Sequence, residues 1–131
     1  MIFESLNKTI IVGLFVCLSS FANAQLDHWE TAIFSTDNWK YFVGSTEPPS
    51  TWNTNTFNAT TWSQGKGGFG YGDNDDNTTI TTTSSVYIRT TFNVSDKSLL
   101  KYLVLHADYD DGFVAYINGK EIARSNISGS P

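Results

Sequence analysis

The sequence is poor in the residues of nucleophilic and metal chemistry: it has one cysteine, Cys17, and two histidines, His28 and His106. Cys17 lies in the N-terminal apolar segment, so the rest of the chain offers no thiol for catalysis, an iron–sulfur cluster or a cysteine-ligated zinc ion. The two histidines lie on unrelated segments, and no Ser–His–acid set or HExxH pair can be assembled from them. We therefore predict that the chain itself is not an enzyme.

Basic side chains are also scarce. Eight Lys and Arg residues stand against thirteen Asp and Glu residues, which gives a formal net charge of -5 at pH 7. Basic runs are missing as well, so neither nucleic acid nor an anionic membrane is expected as a partner. The chain is instead rich in Thr, Asn and aromatic residues, the last making up 15% of it. In an exported β domain this composition suits both a packed core and a surface that contacts sugars.

Long hydrophobic runs are confined to the N-terminus. Lys8 precedes an apolar stretch at 10–21, and Ala22-Asn23-Ala24 has the small-x-small pattern of a signal-peptidase site. We predict a signal peptide over residues 1–24 and a mature chain that begins at Gln25. The apolar stretch is short for a membrane span, so no membrane insertion is expected after cleavage. The predicted destination is the periplasm, the cell surface or the medium.

Two tight turns near the C-terminal end fix the order of three predicted strands. Leu103, Leu105 and Ala107 alternate with Tyr102, Val104 and His106, which predicts a strand over residues 102–106 with one face on a core. Asp110-Asp111-Gly112 then predicts a turn, with Gly112 supplying a positive φ. A second strand at 113–117 leads into Asn118-Gly119, a strong hairpin signal, and a third strand returns over 120–124. Such an antiparallel meander places the chain in the all-β class.

Further strands are predicted upstream, at 39–43 and at 86–94. On the strand at 86–94, we expect the aliphatic part of the Arg89 side chain to pack against the sheet while its guanidinium reaches a carboxylate. The Thr-rich stretch 78–83 is compatible with an edge strand or an ordered loop. A long loop is predicted to fold three aromatic side chains back as plugs, with Trp62 buried; these residues are Trp52, Phe57 and Trp62.

Four segments, taken in order, carry a resemblance to a known family. The longest has the pattern DxDDGFxAYxNGxEIAR, and the others are similar to an FDDSxW segment, a glycine-aromatic loop and a YxRxxF strand; they lie at 108–124, 57–62, 67–72 and 86–92. Together they resemble the galactose-binding-like jelly-roll domains found beside catalytic domains in glycoside hydrolases and in large secreted proteins of Bacteroidetes-type bacteria. Asn58 and Ala59 stand where that pattern has two acids.

The resemblance implies an antiparallel β-sandwich of the jelly-roll type. Because the predicted strands are fewer than the roughly eight of a jelly roll, we expect residues 25–131 to be the N-terminal portion of a domain truncated at its C-terminal side. The implied function is that of a non-catalytic accessory module that binds a polysaccharide or glycan. The alternative is a structural spacer or packing domain, with or without a stabilising calcium, next to a downstream catalytic or adhesive domain that would hold any activity.

Residues 65–77 contain the remaining candidate sites. A formal GxGxxG match lacks the flanking buried strand and helix of a dinucleotide site, so its glycines predict a close backbone approach under Phe69 and Tyr71 instead. Asp73, Asp75 and Asn77 have the 1-3-5 spacing of a calcium loop, but the EF-hand pattern then fails. A calcium site of another geometry and a solvated turn both stay open, and no other cofactor is predicted. If a ligand binds, its contacts are expected to come from loops at one end of the sandwich. The candidate residues are Tyr71, Asp73, Asp75 and Asp76.

Overall fold

A computed structural model describes residues 28–129, which contain seven short β-strands and one turn of 3-10 helix at Lys97–Leu99. The strands are β1 Asn38–Val43, β2 Ser63–Lys66, β3 Phe69–Gly70, β4 Thr78–Thr79, β5 Val86–Arg89, β6 Phe113–Ile117 and β7 Lys120–Ser125. This part of the chain contains no α-helix, so the predicted all-β class is confirmed. No helix within it has the length and hydrophobicity needed to cross a membrane. The predicted signal peptide lies outside the described residues.

The largest sheet has the strand order β2-β1-β5, and both pairings are antiparallel. The central strand β1 forms at the predicted place because its aromatic and β-branched side chains favour a pleated, half-buried surface. It ends at Gly44, whose N–H donates to the carbonyl of Ser85 (2.9 Å). A Cβ on Gly44 would overlap the Ser85 hydroxyl, so this close approach requires glycine.

Strand β5 is shorter than predicted, ending at Arg89 rather than at Val94. The hydroxyl of Thr90 donates to the carbonyl of Asn38 at 3.3 Å, so a side chain bonds a β1 carbonyl just beyond the last backbone pair. Beyond this point Phe92 is 37% exposed. The alternating pattern therefore continued beyond the residues of β5 that pair with β1.

Strands β3 and β4 form a two-residue pair that is parallel, unlike the other two sheets. Of the Thr-rich stretch, only Thr78–Thr79 is strand, while residues 80–83 have no regular structure. Two backbone hydrogen bonds of 2.9 Å join the pair to the chain before it, from Thr78 to Gly68 and from Ile80 to Gly70. The antiparallel prediction therefore holds for two of the three sheets.

Strands β6 and β7 form an antiparallel hairpin closed by Asn118 (φ 51) and Gly119 (φ 82), the two positive φ values that a type I′ turn needs. The register pairs Tyr116 with Glu121 but Ala115 with Ala123, which leaves Ile122 as the extra residue of a β-bulge. A bulge increases the local twist of a hairpin.

The first strand of the predicted meander does not form. Residues 102–106 are without regular structure and exposed, with Leu103 and Leu105 each 50% exposed. His106 at the end of this segment is exposed as well. Alternation of apolar side chains shows how a strand would face a core, but a strand also needs a neighbour to accept its backbone hydrogen bonds, and no described segment pairs with this one.

The turn before the hairpin also differs from its prediction. Its positive φ lies at Asp111 (φ 64) and not at Gly112. Gly112 is required for another reason, because a Cβ there would lie 2.6 Å from the carbonyl oxygen of Ser125. The turn is closed by a 3.0 Å bond from the Gly112 N–H to the Asp110 carbonyl. Asx residues tolerate the left-handed region, which is how Asp111 takes the place of glycine.

An aromatic layer covers one face of the β2-β1-β5 sheet. Trp62 lies at its centre and is 7% exposed, so the predicted burial of Trp62 is confirmed. Trp52 stacks on Trp62 with ring centroids 6.2 Å apart, and it meets Tyr116 of the hairpin edge-on at 5.7 Å. The layer, defined by its ring contacts, contains Phe42, Trp52, Phe57, Trp62, Tyr87 and Tyr116. The predicted folding back of the loop aromatics is thereby confirmed.

Tyr87 anchors this layer at β5. Its hydroxyl donates to the carboxylate of Glu47 at 2.6 Å. Burial, followed by this bond to Glu47 and its charge, raises the pKa of Tyr87 to about 12. The side chain therefore remains a neutral donor throughout the physiological range.

The opposite face of the sheet is covered by the glycine-aromatic segment. Tyr41 contacts Phe69 with ring centroids 5.2 Å apart, and Ile80 is buried. The predicted close approach of the glycines is confirmed, but the neighbours that a Cβ would overlap at Gly65, Gly67 and Gly70 are Thr78, Ser35 and Asp76. The two rings named in the prediction, Phe69 and Tyr71, are not among them.

Candidate functional site

A cleft of about 450 Å³ opens beside the aromatic layer, at one end of the β2-β1-β5 sheet. Its volume falls within the range of small-ligand sites, but it is a shallow groove that lies wide open to solvent. The lining residues come from β1, β2, β5, the chain after β5 and the turn at 57–60; they are Asn38, Trp39, Lys40, Phe57, Asn58, Ala59, Thr60, Gln64, Arg89, Thr90 and Thr91. The sequence analysis did not predict this cleft.

A row of three polar side chains crosses the sheet at the cleft. The ladder pairs Lys40 with Gln64 on one side and with Arg89 on the other. Residues directly opposite each other on antiparallel strands have their side chains on the same face, about 4.5–5.5 Å apart at Cβ. The row therefore brings an amide, an ammonium and a guanidinium group to one surface.

Arg89 is held in place by backbone carbonyls. Its Nη1 donates to the carbonyl of Trp52 at 2.6 Å and its Nη2 to that of Thr54 at 3.1 Å. The guanidinium carbon also lies 5.2 Å from the centre of the Phe57 ring, a cation–π arrangement. The carboxylate partner predicted for Arg89 is therefore wrong. The turns at 49–54 leave carbonyls close to the strand, and these accept instead.

The wall of the cleft at 57–60 is fixed by its own hydrogen bonds. Oδ1 of Asn58 accepts from the N–H of Thr60 at 3.0 Å, and the carbonyl of Ala59 accepts from the N–H of Trp62 at 3.1 Å. The ring of Phe57 packs edge-on against Trp62 at 5.5 Å. The wall is thus tied to the most buried aromatic residue, which keeps the cleft in shape without a ligand.

The predicted acidic cluster lies on a separate loop between β3 and β4. Carboxylate oxygens of Asp73, Asp75 and Asp76 lie within 4.8 Å of one another. Positive φ values at Gly72 (φ 106) and Asn74 (φ 68) turn the backbone so that these side chains converge. Asn77, the third predicted ligand, donates from Nδ2 to the carbonyl of Gly67 at 2.8 Å, which holds its amide against the glycine segment.

Electrostatics at this cluster favour a cation. A hydrogen bond with Asp73, followed by the negative charge of Asp73 itself, raises the pKa of Asp75 above its ordinary value. Asp73 and Asp75 are exposed, whereas Asp76 is half-buried. Three converging carboxylates are hard oxygen donors of the kind that calcium prefers. The arrangement therefore suits a hard divalent cation.

Tyr71 and the three aspartates, the predicted ligand contacts, do not line the cleft. Tyr71 is 46% exposed, and its hydroxyl donates to the carbonyl of Thr83 at 3.4 Å. The sequence signal that could have found the cleft was the placement of Lys40 and Arg89 within predicted strands, but the register of these strands was unknown.

No protein-family model, curated protein or solved structure matches this chain.

Proposed function

We propose that the chain is a non-catalytic accessory module of an exported bacterial protein, and that it binds carbohydrate. The observation that supports this function is the cleft, which places the half-buried ring of Phe57 among amide and hydroxyl side chains. Sugars offer C–H faces that pack on aromatic rings and hydroxyl groups that bond to amides and hydroxyls. Asn58, Thr60 and Gln64 are the polar groups best suited to orient such a ligand.

The fold proposed for this module is a β-sandwich of the jelly-roll, galactose-binding-like type. Its support is the β2-β1-β5 sheet, which is covered on one face by the aromatic layer and on the other by the segment that contains Phe69 and Ile80. The hairpin β6–β7 joins the aromatic layer through Tyr116. A sandwich buries its apolar side chains between the facing surfaces of two sheets, and here the hairpin lies against the aromatic layer of the β2-β1-β5 sheet.

A glycan array with the folded full chain tests the carbohydrate proposal. We expect binding to at least one glycan, with or without calcium, and a loss of about three- to tenfold in affinity for Gln64→Ala, because one neutral hydrogen bond is removed. Ser63→Ala is the matched control, since Ser63 is the neighbouring β2 residue and does not line the cleft. A folded chain that binds no glycan in either condition would rule the proposal out.

A second candidate function is that of a spacer or packing domain stabilised by calcium, next to a downstream catalytic or adhesive domain of the same polypeptide. The convergence of Asp73, Asp75 and Asp76 favours it. In this case the ion would hold the loop between β3 and β4, and ligand binding would not depend on it. The two functions are compatible, because the acidic cluster and the cleft share no residue.

Replacing Asp75 by Asn should have opposite effects with and without calcium. Without calcium, we expect a small rise in melting temperature, because one of three converging negative charges is removed. With calcium at about tenfold above its Kd, the native chain should gain roughly 5 °C and the variant much less. Differential scanning calorimetry in calcium and in chelator measures both, with the exposed Asp108→Asn as the control. If calcium leaves the melting temperature of the native chain unchanged, the prediction is contradicted.

The pH dependence of this cluster follows from the raised pKa of Asp75. The folded chain holds the Asp75 proton more tightly than the unfolded chain does, so this group contributes stability below its ordinary pKa of about 3.9. That contribution is lost as the pH rises through the raised value, where the carboxylates repel one another. The stabilisation by calcium should therefore be present at neutral pH and weaken as the pH falls through the raised pKa of Asp75, because protonated Asp75 is a poor ligand.

A further inference from the structure

The cleft carries an unbalanced positive charge. Lys40 and Arg89 lie directly opposite each other on β1 and β5, and no Asp or Glu side chain lines the cleft. Like charges directly opposite on neighbouring strands are destabilising. The arrangement is unexpected in a chain whose formal net charge is -5 and whose acidic side chains outnumber the basic ones.

The two cations differ in their contacts, because within the described part of the chain the side chain of Arg89 has hydrogen-bond partners and that of Lys40 does not. Arg89 bonds the carbonyls of Trp52 and Thr54, as described above. The side chain of Lys40 makes no hydrogen bond or ion pair with the rest of residues 28–129, although it lies half-buried on the central strand of the sheet. Lysine is a poor strand former, so a β-branched residue at this position would serve the sheet better. The lysine is explained if an anion occupies the cleft.

Resting on the carbohydrate function proposed above, we propose that the cleft selects acidic sugars and holds their carboxylate or sulfate group between Lys40 and Arg89. Arg89 is already oriented by its carbonyl partners, and a guanidinium that donates to two acceptors retains further N–H groups for an anion. Lys40 supplies a mobile ammonium. Gln64 stands next in the row and is placed to bond a neighbouring sugar hydroxyl.

The chemistry of the cleft distinguishes this ligand from other anions. Nucleic acid binding needs cations spread along a backbone track, whereas here two cations lie directly opposite each other on neighbouring strands, and Arg89 lies beside the Phe57 ring. An anionic group joined to a pyranose ring satisfies both parts of the cleft. The ring packs on Phe57, and the charge lies between the two cations.

Isothermal titration calorimetry on the full chain tests the inference with three probes of equal length: an oligogalacturonate, a sulfated galactose oligomer and a neutral galactose oligomer. We expect at least one acidic probe to bind about tenfold tighter than the neutral probe. Lys40→Gln should reduce that affinity about tenfold, the loss for one charge-assisted hydrogen bond, and leave the neutral probe unaffected. Higher salt should weaken the acidic probe alone. The preferred acidic probe identifies the group as carboxylate or sulfate.

Lys97→Gln is the matched control, because it removes the same charge from an exposed residue outside the cleft. Melting temperatures of both variants should equal or exceed that of the native chain, since Lys40→Gln relieves a like-charge pair. Equal binding of neutral and acidic probes, or an acidic affinity that Lys40→Gln leaves intact, would overturn the inference while carbohydrate binding stands. A folded chain that binds none of the probes and no glycan on an array would overturn both.

Discussion

Replacing Trp62 by Ala should lower the free energy of unfolding by about 3–5 kcal/mol, as is typical when a buried large aromatic side chain is removed. Trp62 and Ile80 are the large apolar side chains that are buried among residues 28–129, and Trp62 alone touches the rings of Phe42, Trp52 and Phe57. These neighbours come from a strand and from two loop positions. Their partial collapse would not refill the space of an indole.

Equilibrium unfolding in urea, followed by far-UV circular dichroism, measures this loss. Natural domains are stable by only about 5–15 kcal/mol, so the variant should be partly unfolded at modest denaturant concentrations. Trp29→Ala removes the same side chain from a position that is 72% exposed and should change stability by less than about 0.5 kcal/mol. Equal stability losses for the two variants would mean that the aromatic layer does not act as the core.

Replacing Arg89 by Met should cost about 2–4 kcal/mol, because the carbonyls of Trp52 and Thr54 lose a charged donor in a partly buried place. Methionine keeps the aliphatic length of the side chain, so the change isolates the guanidinium group. The stacking of that group on Phe57 would also be lost. We therefore expect the turns at 49–54 to loosen before the strands do.

Amide hydrogen exchange distinguishes this local effect from global unfolding. In the Arg89→Met variant, protection should fall most at the turn amides of Trp52 and Thr54, which donate to Pro49 and Thr51. Lys97→Met is the charge-matched control, and its cost should be near zero, because Lys97 is exposed. If both variants unfold at the same urea concentration as the native chain, the carbonyl bonds contribute no net stability.

The parts of the fold that sequence reasoning predicted are those that local chemistry decides. Asn118-Gly119 supplies both positive φ values of a two-residue turn, so the hairpin was visible without any knowledge of the rest of the chain. The strand β1 followed from aromatic and β-branched patterning, and the burial of Trp62 from aromatic residues spaced by polar ones in a long loop. The parallel β3–β4 pair is two residues long, too short to leave a period in the sequence.

The strand predicted at 102–106 and the carboxylate predicted for Arg89 failed for a different reason. Both depended on which distant segment would be the neighbour, and a single sequence does not contain that information. The same limit hid the cleft, since Lys40 and Arg89 become opposite each other only through the β1–β5 register. The three aspartates of the acidic cluster, in contrast, were visible as candidates because they lie within four consecutive residues, although the calcium spacing selected Asn77 in place of Asp76.

The contact between Trp52 and Tyr116 joins positions that are about half the chain's length apart. Closing a loop of that size costs conformational entropy, and this entropy is lost before the contact between the two rings contributes any stability. The hairpin that carries Tyr116 closes through a two-residue turn and can form alone in about 1–10 μs. We therefore expect folding to proceed from a hairpin that forms early to an aromatic layer that is completed late, with the docking of Tyr116 against Trp52 among the last steps.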